Sequence, residues 1–108
     1  MNSIVNIIHD IEKQPGLYLT ANSINLLNSF LCGFIMRDPE TITDIQLMAQ
    51  FQQWIELKYD KAGSNSWIKI ILFYSHDEFD ALDNFFKNFN SFLSEKNISN
   101  YNLVHTRG

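Results

Sequence analysis

The hydrophobic positions of this chain fall into five segments, most of which repeat at a helical period. Ile4, Ile7, Ile8 and Ile11 follow the i, i+3, i+4, i+7 spacing of one helical face. Leu26, Leu27, Phe30, Leu31, Phe34 and Ile35 cover a wider arc, as expected of a helix packed on two sides, and Ser23 offers its N-cap. A third helix is expected to open at Thr43, with Gln46 three residues on completing a capping box. Leu47, Phe51, Trp54 and Ile55 would form its inner face, with Gln52, Gln53, Glu56 and Asp60 turned outward. The last helix is the most regular. Ser75 is its expected cap, with Glu78 reaching back, and Phe79, Leu82, Phe86, Phe89 and Leu93 hold one stripe for more than four turns.

Between these lies Trp67-Ile-Lys-Ile-Ile-Leu-Phe-Tyr74. An apolar run of this length fits a short buried helix or a buried strand, and periodicity does not separate the two. Helix is preferred because the segments available as strand partners, 17–19 and 102–104, are short. Breaks fall at Gln14-Pro15-Gly16, at Arg37-Asp38-Pro39-Glu40 and across 61–65, where Gly and Pro sit among polar residues. The expected fold is therefore all-α: one helical domain over 1–97, a bundle of about five helices, with a loosely docked tail at 98–108. The alternative is α+β, if 67–74 pairs as a strand.

Composition supports a packed core. Of 108 residues, 45% are hydrophobic and 14% aromatic, including nine Phe, and such rings bury large areas. Cys32 is the only cysteine, so no disulfide can form within the chain and a reducing compartment is expected. Residues 1–13 read as an amphipathic helix and not as a signal peptide. No apolar run approaches the ~20 residues needed to span a bilayer. The expected location is the cytoplasm, away from membranes.

Charge narrows the function. Eight basic residues stand against twelve acidic ones, a formal net charge of −4. Binding to nucleic acid through phosphates needs clustered Lys and Arg, and here they are scattered, so direct nucleic-acid binding is not expected. Excess acid favours a basic partner.

Few residues suggest chemistry. His9 and Glu12 could meet on one helix, but two ligands do not make a metal site. Cys32 has no nearby histidine signature and reads as an incidental thiol. The four glycines are far apart, so no phosphate-cradling loop exists. No catalytic residue, cofactor, metal or small-molecule ligand is expected, and the chain reads as a binding protein, not an enzyme. The acids of the last helix carry more information. Asp77 and Glu78 suit the helix macrodipole, Asp80 does so partly and Asp83 poorly. Glu56 and Asp60 form a like-charged i, i+4 pair that costs helix stability. Asp77, Asp80, Asp83, Glu56 and Asp60 are therefore the candidate partner-binding residues.

The order of these features resembles the small bacterial immunity proteins of contact-dependent growth inhibition and related polymorphic toxin systems. Those proteins carry a Lys-x-Pro-Gly-x-Tyr-Leu turn, here Lys13 to Leu19, and a Leu-x-x-Phe-Leu-x-Gly-Phe helix, here Leu27 to Phe34. A Phe-x-x-Trp helix (Phe51, Trp54) ending near Tyr59, a Trp opening the next element (Trp67), and a Ser-x-x-Glu cap on a Phe-rich helix (Ser75, Glu78, Phe85, Phe89) follow. The resemblance covers about residues 11 to 93 and lies mostly in core positions. It implies a protein that binds a cognate toxin, commonly a nuclease domain, and occludes it stoichiometrically. It assigns no toxin-facing residue. The alternative is a helical adaptor or regulatory subunit of a bacterial complex.

Overall fold

The computed structural model describes residues 3–61, 63 and 65–96. Five α-helices follow one another: α1 (Ile4–Lys13), α2 (Ile24–Arg37), α3 (Leu47–Tyr59), α4 (Trp67–Phe73) and α5 (Glu78–Glu95), with short 3₁₀ turns at Pro15–Leu17 and Pro39–Thr41. No strand occurs among the described residues, and the all-α expectation holds. The tail expected at 98–108 lies outside them.

The 67–74 run is helical. Ser66 accepts from the Lys69 N–H at 3.4 Å, and Trp67, Ile70 and Ile71 turn inward at i, i+3, i+4 spacing. Phe73 and Tyr74 are left outside, 74% and 47% exposed. α2 opens at the expected cap, with Ser23 accepting from the Leu26 N–H at 3.2 Å. It ends where Asp38, extended ahead of Pro39, leaves helical geometry.

Two caps differ from expectation. α3 begins at Leu47, four residues past Thr43, and residues 43–46 form turns. The segment is held there because Asp44 reaches across to α1, where it accepts from the Ile4 and Val5 N–H groups. α5 begins at Glu78 with Asp77 as cap, accepting from the Asp80 N–H at 2.8 Å. Ser75 instead donates to the Ile71 carbonyl at 2.6 Å and so closes α4. Where Asp and Ser compete two residues apart, the chain gives each helix end its own cap.

One hydrophobic cluster joins all five helices. At its centre Phe51 of α3 is fully buried, with edge-on contacts at 5.4–5.7 Å to Trp67, Phe85, Phe89 and Phe92. The buried face of α5 keeps Leu82, Phe86, Phe89 and Leu93 of the expected stripe and widens to take in Ala81, Phe85 and Phe92. Phe85, Phe89 and Phe92 are its fully buried rings, Phe86 sits at its margin, and Phe79 is 63% exposed. Periodicity alone could not set this width, because apolar residues fill two overlapping stripes. Ile4, Ile8 and Ile11 of α1 are fully buried as expected. α2 is less evenly covered than its sequence suggests: Leu27 and Leu31 are buried, while Phe30 and Phe34 are only partly so.

Candidate binding surface

The five acids singled out in the sequence do not form one patch. Asp77 caps α5. The Asp80 carboxylate accepts from the His76 N–H at 2.9 Å and from the Asn84 side chain at 3.3 Å, so it too is engaged in shaping the helix start. Glu56 accepts from Gln52 Nε2 at 2.6 Å. Asp60 has already left α3, with φ of +55° in the left-handed region, so it does not oppose Glu56 along a helical face as expected. Asp carries that conformation more readily than most residues because its short polar side chain can bond locally.

Asp83 is different. Both it and Lys87 are exposed, and their 3.6 Å ion pair is the weak surface kind. It stands on the edge of a groove of about 280 Å³ between α5, the end of α1 and the turn that follows. Phe79, Leu82 and Phe86 supply the apolar wall, Pro15 faces them, and Glu12 and Asp83 bring carboxylates. Glu12 accepts from Asn90 Nδ2 at 3.3 Å, a neutral donor that leaves its charge in place. The groove thus joins an apolar centre to an acidic border. Its exposed aromatic member, Phe79, is expected in the core from the sequence; the signal that places it outside is its position immediately after Asp77-Glu78, inside the polar first turn.

The α5 start is anchored to α2. Ser23 Oγ donates to the Glu78 carboxylate. That bond and others from Asn25 hold the Glu78 pKa below the ordinary glutamate value. Glu78, read in the sequence as part of a local cap, is instead a tie between the N-termini of two helices.

A second exposed face lies across the ends of α3 and α4. Tyr59 stacks on Tyr74 at 4.6 Å, and Phe73 meets Tyr74 edge-on at 5.0 Å. Lys61 Nζ lies 5.2 Å from the Phe73 ring centre and 5.9 Å from that of Tyr74, a cation–π geometry. Lys58 lies over Trp54 and Tyr59, at 5.3 and 5.4 Å, and donates to Asn88. Asn88 is buried, and its amide also donates to Tyr59 Oη and to the Asn84 carbonyl, so a satisfied polar network underlies this face. Gln52, expected to be a solvated outer residue, is a clip: its Oε1 accepts from the Trp67 N–H at 2.6 Å, and Nε2 donates to the Asn65 carbonyl at 2.9 Å.

Among the described residues, no group of three or more His, Cys, Asp or Glu side chains could hold a metal ion. Cys32 is exposed. No described helix is long and apolar enough to cross a membrane. Comparison with protein-family models, characterised proteins and solved structures finds no match to the chain.

Proposed function

We propose that this protein neutralises a cognate toxin domain by stoichiometric binding, and that the groove on α5 is where a basic toxin surface docks. The observation that carries this reading is Phe79: a large aromatic ring 63% exposed, beside Leu82 and Phe86, with carboxylates at Glu12 and Asp83. Protein interfaces are built as an apolar centre inside a polar border, and exposed aromatic anchors carry much of the binding energy. A nuclease toxin presents a basic cleft because it must grip phosphates. Acids beside the anchor complement that cleft and speed encounter. The resemblance to small bacterial immunity proteins, in the order and spacing of motifs over about residues 11 to 93, supports the same reading. Asp77 and Asp80 contribute to the field at the start of α5 while serving as its local caps.

The test is co-expression with the product of the neighbouring gene, scored as growth rescue, followed by purified binding. Phe79→Ala should weaken toxin binding by ~2 kcal/mol or more. Glu12→Gln with Asp83→Asn should slow association and flatten its salt dependence. Failure of rescue together with no measurable complex would overturn the toxin reading. Rescue that survives Phe79→Ala with unchanged affinity would move the toxin to another face.

The lysine-rich aromatic face at Phe73 and Tyr74 favours a second reading, an adaptor subunit that joins two partners. A neighbouring gene encoding a component of a stable complex, and not a large secreted protein with a variable C-terminal region, would favour it over the first.

A further inference from the structure

A further groove, of about 450 Å³, lies between α3 and the C-terminal end of α5, lined by Trp54, Leu57, Lys58, Ser91 and Glu95. Leu57 is 81% exposed, more than any other large hydrophobic side chain among the described residues. Covering it removes apolar area from water, which is favourable. The chain itself leaves α5 at the rim of this groove. Trp54 Nε1 donates to Glu95 Oε1 at 2.8 Å, and the Lys96 N–H closes the helix on the Phe92 carbonyl at 3.1 Å. Residues 97–108 follow directly. At about 3.3–3.6 Å per extended residue they reach as far as ~40 Å, whereas Trp54 and Lys58 are only ~6 Å apart along α3. This segment holds Ile98, Tyr101, Leu103 and Val104, with one basic residue, Arg107, and no acid. The chain as a whole sets twelve acids against eight bases, so the segment is attracted to the body that carries it. The groove beside Phe79 opens toward the opposite end of α5, a helix of 18 residues and ~27 Å.

We propose that residues 97–108 turn back after Lys96 and occupy this groove, with Tyr101 and Leu103 covering Leu57 and Trp54. Residues two apart on an extended segment face the same way, so these two side chains reach the groove together. Leu57 then becomes a buried contact, and the face formed by α3 and the end of α5 is closed to other partners. The Phe79 groove and the hollow beside Phe73 stay open. Long-range attraction to Arg107 is screened by salt, so the apolar contacts dominate. This inference does not rest on the toxin reading, and its test uses the chain alone.

Nuclear Overhauser contacts in the full chain measure it. The Leu57 methyl groups should show contacts to the Tyr101 ring and to the Leu103 methyl groups. Mixing labelled with unlabelled protein separates contacts within one copy from contacts between copies. Trypsin gives an independent readout, because it cuts after Lys96, just ahead of the segment. Leu57→Glu and Leu103→Glu should each speed that cut about tenfold or more, since cleavage follows the population of the open form. Cleavage after Lys13, at the end of α1, should keep its wild-type rate in both variants and so report that the bundle persists. Absence of any contact from the segment to Leu57, contacts found only between copies, or cleavage after Lys96 that neither variant accelerates would each overturn the proposal.

Discussion

The carboxylate of Asp44 is seated on the N-terminus of α1, with Oδ1 accepting from the Ile4 N–H at 2.7 Å and Oδ2 from the Val5 N–H at 3.0 Å. Ser3 donates its hydroxyl to the same carboxylate at 3.1 Å and accepts from the Asn6 N–H at 3.3 Å. The first N–H groups of a helix have no intrahelical partner, and the helix macrodipole favours negative charge there. One side chain from the loop before α3 therefore satisfies two orphan donors 39 and 40 residues away and fixes how α1 meets the bundle. Asp44→Ala should cost about 1.5–3 kcal/mol, the range for hydrogen bonds to a charged group. Asp44→Asn, which keeps one acceptor oxygen, should cost less. Urea denaturation of both variants measures the difference, and an Asp44→Asn variant as stable as the wild type would mean that the negative charge contributes nothing.

Truncating aromatic rings should give a graded response that follows burial. Phe51→Ala, at the centre of the cluster, should lose about 3–5 kcal/mol, and Phe86→Ala should fall near the lower end of that range. Phe79→Ala should stay within about 0.5 kcal/mol, because that ring is mostly in solvent. Thermal melts of the three variants suffice. A large loss at Phe79 would place that ring in the core and remove it as a binding anchor.

The clip formed by Gln52 predicts a local effect. Gln52→Ala leaves the Trp67 N–H without its partner and should cost about 1–3 kcal/mol. Because α4 has only seven residues, the loss should concentrate there. Hydrogen exchange at the amides of Trp67 to Ile71 should quicken more than exchange in α1. Uniform acceleration across the chain would show that α4 does not open separately.

Glu78 predicts a dependence on pH. Its pKa is lowered in the folded protein, first by the Ser23 hydroxyl and then by Asn25. The unfolded chain therefore binds this proton at a higher pH than the folded one does. The stabilisation is fully present above the unfolded pKa and is lost as pH falls through the lowered folded value. The stability gap between the wild type and Glu78→Gln should be widest near neutrality and should shrink on acidification below about pH 5. Denaturant midpoints across that interval provide the check, and a gap independent of pH would exclude this carboxylate as the titrating group.

Local pattern determined much of this protein. The apolar spacing of Ile4, Ile8 and Ile11, the Ser23 cap and the break at Pro39 depend on neighbours within a turn or two, so they could be read along the chain. The helix at 67–74 also follows locally once Ser66 is taken as its cap. Tertiary structure decided everything that depends on a partner distant in sequence. Asp44 was drawn across to the free N–H groups of α1, and the capping box expected at Thr43 and Gln46 did not form. Gln52 was turned from solvent to the start of α4, and Glu78 from its own helix to Ser23. On α5, eight aromatic and aliphatic positions offered two overlapping stripes, and only the arrival of Phe51 and Trp67 from other helices selected Phe85, Phe89 and Phe92 for burial. That same choice put Phe79 at the surface beside Asp83 and Glu12. A helix can bury only the arc its neighbours cover, and sequence spacing names the candidates without naming the neighbours.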